Sequence, residues 1–534
     1  MKKTLTLLAC ALCSITMLAQ SFSTYRNPVI AGFHPDPSAL RVGDDYYLVN
    51  SSFAYFPGVP IFHSKDLIHW EQIGNVLTRN SQLPLAHASS WLGIYAPTIR
   101  YHNGTYYMIT TNVGNGGNFL VTASNPKGPW SEPVWLEQQG IDPSLYFEGD
   151  KCYMVSNPDN TIMLCEIDPL TGKQLTPGRA LWRGTGGRYP EGPHIYKIGD
   201  WYYLLISEGG TELAHKLTIA RSRQIEGPYE SNPNNPIMTN CNMKGQGMQI
   251  QGTGHGDLLQ DQNGQWWMVF LAYRNFGGSY HHLGRETYLA PVTWKNEWPI
   301  VNDGNPIDTL MAANVLPQYS FQKKPTRTFF ENGNTKDGFL QKLDPEWVCL
   351  QNPISDNYRL AKGQLQLYPH GSLTQNDQPT YLGRRQESSN MRVETCVEWH
   401  NSKSSKDARA EAEANTTGAG LSIYQIHDGH TDFYVNNHAI FVRTRLKSVD
   451  ALVYTSPKLK NSGKVWLRIC SDGEMYNFSY SVDGNNFIEV YQMNCSLLST
   501  EVVGGFTGVT LGMFAQGQKA DGYATFDFFD YEEK

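Results

Sequence analysis

Between Ser38 and about Trp298, apolar residues fall in short alternating runs broken by turn dipeptides, and few stretches carry a helical period. Five units recur there. They are Gly43-Asp-Asp-Tyr-Tyr-Leu48, Asn103-Gly-Thr-Tyr-Tyr-Met108, Gly149-Asp-Lys-Cys-Tyr-Met154, Gly199-Asp-Trp-Tyr-Tyr-Leu204 and Asn263-Gly-Gln-Trp-Trp-Met268. Each opens on Gly-Asp or Asn-Gly, which tolerate the positive φ of a tight hairpin turn, and continues into aromatic and apolar residues suited to a strand. A short β-like run precedes each, at 38–42, 98–101, 144–147, 194–198 and 257–260. Aligned on Tyr47, Tyr107, Tyr153, Tyr203 and Trp267, the units lie 60, 46, 50 and 64 residues apart, enough chain for one four-stranded antiparallel sheet apiece. Such turns recur singly in any β protein. Five with matched flanking strands predict an all-β fold that begins with a five-bladed β-propeller over residues 20–316.

A polar connector rich in Lys, Thr, Asn and Gly follows at 317–338 and marks a domain boundary. Beyond it, residues 364–368, 391–399, 465–470 and 523–531 alternate again, which predicts a β-sandwich over 339–534. The charged stretch 402–413 reads as a solvated loop or short helix.

Composition narrows the function classes. The 534 residues allow several domains, and the net charge of −7 is spread without basic runs, so no nucleic-acid partner is expected. Residues 1–19 carry Lys2 and Lys3 and then the apolar run 5–12, shorter than the roughly 20 residues of a bilayer span. They read as a signal peptide, which predicts a periplasmic or extracellular protein without a membrane span. Two of the nine cysteines lie in that leader, and the other seven form neither a CxxC pair nor a disulfide framework. A Cys152–Cys165 bridge is the one pairing considered. Nothing in the sequence signals an oligomeric state.

The repeat singles out one position, the entry to the first strand of each unit, which faces the propeller axis. Asp36 and Asp142 stand 11 residues before their reference tyrosines, and Glu191 and His255 stand 12 before theirs. The second unit has Ala96 instead. Taken singly, Asp-Pro-Ser at 36–38 or 142–144 would be an Asx-type turn. Three carboxylates at one mouth raise at least one pKa by mutual repulsion, as glycosidic hydrolysis requires of its acid, while another stays ionised as base. In an inverting enzyme the two stand about 6.5–9.5 Å apart, leaving room for water. His255 reads equally as a substrate contact, an axial metal ligand or a core histidine.

These residues resemble the family 43 glycoside hydrolases, the xylosidases and arabinofuranosidases of plant cell-wall breakdown. The resemblance lies in Asn27-Pro-Val-Ile-Ala-Gly-Phe-His-Pro-Asp-Pro-Ser38, in 56–67, in Ile141-Asp-Pro-Ser144, in Pro190-Glu-Gly-Pro193 and in Leu283-Gly-Arg-Glu-Thr287. It implies Asp36 as general base, Glu191 as general acid, and Asp142 as the residue that orients the acid and tunes its pKa. It further implies that Phe53 lines the sugar pocket, that Arg285 binds sugar hydroxyls, and that His255 sits near an axis where some relatives hold a structural calcium. No cofactor is expected in catalysis. The β-xylosidase branch has Trp-Ala-Pro where this chain has Tyr95-Ala96-Pro97. Its appended concanavalin-like sandwich sends a loop over the active site, which Gly505-Phe-Thr-Gly508 resembles; Phe506 is then a pocket wall or an ordinary core residue. The expected function is exo-acting, inverting release of pentose from xylo- or arabino-oligosaccharides, foremost as a xylan 1,4-β-xylosidase. An α-L-arabinofuranosidase, or both activities together, is the alternative. A non-catalytic carbohydrate-binding propeller is the reading from another class.

Overall fold

A computed structural model describes residues 24–241, 249–330, 338–401, 416–459 and 463–534. The leader and the charged stretch 402–413 lie outside the described residues. Each of the five hairpin units is the inner half of a four-stranded antiparallel blade, whose inner strands are Ser38–Val42, Thr98–His102, Ile141–Glu148, Glu191–Ile198 and Ile250–Gln260. The second blade carries one extra strand, Gly93–Ile94, beside Thr105–Val113. At its hairpin both Asn103 and Gly104 have positive φ, 48° and 81°, which the Asn-Gly dipeptide supplies with little strain.

The blades meet through the faces of their alternating strands, so the propeller's apolar clusters lie between neighbours. Val49, Ile61, Ile99 and Met108 join the first two blades, and Val155, Leu164, Leu204 and Ile206 join the third and fourth. The ring closes beside the fifth blade. There Thr24–Arg26 pairs antiparallel with Leu310–Ala312, and the Asn27 side chain bonds the backbone of Leu289.

The second domain packs a sheet of eight strands on one of six, with Val393, Val397, Leu421, Ile423, Leu467 and Phe526 between them. Arg327–Phe329 pairs with Phe528–Asp530 at the edge of the larger sheet, so part of the polar connector already belongs to the sandwich. Three residues are too short a run for alternation to reveal. The two cysteines considered as a pair are free. Cys152 lies opposite Ile167 and Cys165 opposite Met154, a diagonal relation whose usual spacing of about 7–8 Å exceeds disulfide reach.

The domains are joined by main chain and by aromatic rings. Tyr55–Phe56 pairs with Cys349–Leu350, and Phe33, Phe53, Tyr55, Tyr381 and Tyr424 form one cluster across the boundary with Tyr95 against it. That cluster reaches from the sandwich to the mouth of the propeller, where the entry residues converge.

Candidate active site

The inner strands deliver their entry residues by breaking their own ladders. Asp36, Asp142 and His255 have φ of 53°, 53° and 47°, and register shifts interrupt the ladder around Asp142, Glu191 and His255. A non-glycine residue in the left-handed region costs about 1–3 kcal/mol, and such bulges re-aim side chains. Here they turn them toward the axis. Glycines let the rings close in. A Cβ on Gly192 would lie 3.0 Å from His255 Cε1, and one on Gly254 would lie 2.3 Å from the His215 ring.

One layer further along the same strands, a buried polar cluster fixes the blades to one another. Asp257 accepts from Ser38 Oγ at 2.7 Å, Tyr196 Oη at 2.6 Å and Arg100 Nη1 at 2.9 Å, while Arg100 Nη2 donates to His194 Nδ1 at 2.9 Å. Ser144 Oγ donates to the Pro193 carbonyl at 2.6 Å. Burial opposes the charge on Asp257, but Arg100, His194 and Tyr196 hold its carboxyl well below the usual range. All five blades contribute, so the layer is a satisfied ionic network beneath the site.

Above it, Asp36 is buried, accepts from Arg285 Nη1 at 3.1 Å and from Ser51 Oγ, and has His255 Nδ1 at 3.7 Å. Burial pushes its carboxyl up; Arg285, His255, Ser51 and His215 outweigh that and hold it below the ordinary carboxylate value. Asp142 goes the other way. Burial, then the charges of Glu191 and Asp36, push it well up, against a backbone hydrogen bond from Gly192 N–H at 3.1 Å and the charge of Arg285. That bond ties Asp142 to the residue next to Glu191, whose Oε1 is 3.3 Å from His215 Nε2.

Asp36, Asp142, Glu191 and His255 all line one cavity of about 370 Å³, with Phe53, Tyr95, Ala96, Thr211, Arg285 and Phe506. The methyl group of Ala96, the one entry position without a polar side chain, keeps space open on the second blade's side. Phe53 and Phe506 face each other at 6.4 Å between ring centroids with 25° between planes, and Arg285 lies within 6 Å of both rings. Arg285 also donates to Thr211 Oγ1 at 2.9 Å and to the Phe506 carbonyl at 3.3 Å. Phe506 is thus a pocket wall, 40% exposed, on a loop held by Val509 N–H to the His282 carbonyl and by Thr507 against Gln425. Tyr95 directs its hydroxyl away to the Trp91 carbonyl at 3.0 Å, and so offers the pocket a ring face.

His255 is a pocket-lining imidazole between Asp36 and Gly192. A calcium there would require six to eight oxygen ligands. Its neighbours instead include Arg285 and the His215 imidazole, and among the described residues no three His, Cys, Asp or Glu side chains group to hold an ion. The residues do not fit a structural calcium at His255, and the axial ion pair of Arg100 and Asp257 stands beneath. Ser51, Thr211 and His215 were not legible in the sequence, because they sit on loops after second strands, outside the repeated entry position.

Carboxyls of opposed tendency, an arginine and stacked aromatic walls in a sugar-sized pocket define a glycoside hydrolase. Residues 25–299 match the model of the glycosyl hydrolases family 43, and residues 336–532 match the β-xylosidase C-terminal concanavalin A-like domain; the chain belongs to family 43. It is 41% identical to a non-reducing end α-L-arabinofuranosidase of Bacteroides ovatus, over 95% of this chain and 94% of that protein. It is 38% identical to a xylosidase/arabinosidase of Butyrivibrio fibrisolvens, covering 95% and 99%. Among solved structures, Bacteroides ovatus Xyloglucan PUL GH43B superposes with a TM-score of 0.87 at 39% identity, over 96% of this chain and all of that one. The xylan β-1,4-xylosidase from Bacillus halodurans superposes at 0.85 with 32% identity, covering 95% and 100%.

Proposed function

We propose that the protein removes single terminal pentoses from plant cell-wall oligosaccharides with inversion, accepting both β-D-xylosyl and α-L-arabinofuranosyl units in one pocket. Asp36 acts as general base, Glu191 as general acid, and Asp142 as the residue that orients the acid and sets its proton affinity. The observation that carries this reading is the split between the carboxyls: Asp36 is held ionised by Arg285 and His255, while Asp142, beside Glu191, is pushed toward its protonated form. Asp36 draws a proton from water as its oxygen attacks the anomeric carbon, and Glu191 gives one to the departing oxygen. The hydrolysis needs the two carboxyls and water alone. Phe506 closes one side of the pocket, which favours chain ends over chain interiors.

Support for both sugars comes from relatives named for each and from the pocket itself, whose walls are rings and one guanidinium and whose size suits either pentose. The test is proton NMR of the first product formed from xylobiose and from an α-L-arabinofuranosyl oligosaccharide. We expect α-xylose and β-arabinofuranose, and each substrate should competitively inhibit hydrolysis of the other with an inhibition constant equal to its own KM. Retained anomers would overturn the inverting reading, internal cleavage the exo reading, and absent cross-inhibition the single pocket.

We also propose that the enzyme acts outside the cytoplasm, on the strength of Lys2, Lys3 and the apolar run that follows. Amino-terminal sequencing of the protein from fractionated cells should find a chain that starts near residue 20 in the exported fraction. A full-length chain confined to the cytoplasm would refute this.

A further inference from the structure

His215 carries none of the catalytic roles proposed above, yet it is wholly buried and its ring lies against the acid. It lies between Trp201–Glu208 and Lys216–Ser222, in a loop that also carries Thr211. Its Nδ1 lies 3.1 Å from the Gly252 carbonyl, and since a carbonyl only accepts, Nδ1 carries a proton. Gly254 passes so close to the ring that a Cβ would overlap it. The imidazole is therefore fixed in place and in orientation. Among the described residues its Nε2 has no hydrogen-bond partner, and Glu191 Oε1 stands 3.3 Å away.

We infer that His215 is a positioning residue for Glu191: it anchors Oε1 on the buried side so that Oε2 alone is presented to the glycosidic oxygen. With Nδ1 committed as a donor, closing the Nε2 to Oε1 contact requires one proton between the two atoms, whichever of them carries it. The carboxyl is then held from behind, and the 17% of the Glu191 side chain that remains exposed faces the cavity. No bond to substrate is made by His215. The inference rests on Glu191 being the acid, and the experiment separates the two.

An anchor for the acid matters in proportion to how much the leaving group needs a proton. Three variants, His215→Asn, His215→Gln and Gly254→Ala, are compared on a disaccharide and on the dinitrophenyl glycoside of the same sugar, with Glu191→Gln alongside. Asn keeps a donor toward Gly252 but loses the group at Nε2, Gln can place a polar group there, and the alanine methyl displaces the ring. We expect His215→Asn and Gly254→Ala to lose about 10- to 100-fold more kcat on the disaccharide than on the dinitrophenyl glycoside, with Gln restoring part of the difference. The ratio comes from one preparation, so any unfolded fraction cancels. Equal losses on both substrates, or no loss on either, would overturn the inference and leave His215 as packing. If Glu191→Gln itself shows no dependence on the leaving group, the acid assignment fails instead.

Discussion

Asp36→Asn is expected to lower kcat by about 10³-fold or more while changing the affinity for product sugar by less than about threefold. General bases contribute about 10²–10⁴ in rate, and the loss here should approach the upper end because, among the described residues, Asp36 is the carboxylate paired with Arg285. The amide can take the place of the acid without disturbing its surroundings. Its oxygen can accept from Arg285 Nη1 as Oδ1 does now, and its NH2 can donate to Ser51, whose hydroxyl turns from donor to acceptor. Binding should survive, since Phe53, Tyr95 and Phe506 are untouched. Isothermal titration with xylose or arabinose, alongside single-turnover rates, checks both halves. Near-normal turnover would remove Asp36 from the mechanism, and loss of sugar binding in step with rate would make it a binding residue. The same geometry fixes the acid side of the pH profile. A base is active above its pKa and lost as pH falls through it, and Asp36 is held below the ordinary carboxylate value despite burial. The acid limb of kcat/KM should therefore lie below that value in the parent enzyme. It should move up in Arg285→Gln, which leaves burial less opposed.

How much of this site the sequence shows depends on whether a residue shares the repeat. Asp36, Asp142, Glu191 and His255 are legible because each occupies the same step of a hairpin unit marked by a Gly-Asp or Asn-Gly turn and the aromatic and apolar residues that follow it. The propeller maps that step to one point in space, so residues as distant as Asp36 and His255 come within 3.7 Å. Ser51 and His215 follow the second strand of their blades, where loop length varies and no period fixes a position. Their contacts with Asp36 and Glu191 emerge only once the blades are assembled. The axial network is a third case. Ser38, Ser144 and Asp257 each stand two residues after an entry position, so alternation brings them to the same axis one layer down, but nothing in their types announces that Arg100 and not an ion fills the space between them. Phe506 depends on packing between domains: Gly508 and Gly284 approach so closely that a Cβ on either would meet the other loop's backbone at 2.1–2.7 Å, and this sets the ring over the pocket. Local pattern cannot report such a contact.

Glu191→Gln is expected to separate substrates by their leaving groups. A sugar leaves as an alkoxide unless it is protonated in the transition state, whereas dinitrophenolate is stable without a proton. Loss of the acid should therefore cost about 10³-fold in kcat on a disaccharide and less than about tenfold on the dinitrophenyl glycoside. The proposed acid stands beside a second, buried carboxyl. Burial of Asp142, then the charges on Glu191 and Asp36, push its carboxyl well above the usual carboxylate range. Asp142 stays tied to the backbone N–H of Gly192, which keeps the pair in register with the strand that carries Glu191. Glutamine preserves the shape of the side chain and removes only its transferable proton. The expected signature is thus a steep dependence of rate on leaving-group acidity in the variant, where the parent shows a shallow one, measured over a series of substituted phenyl glycosides. A slope unchanged from the parent would show that the proton comes from elsewhere. Asp142 would be the first group to test next, since it is the carboxyl in the cavity whose surroundings push it well above the usual range.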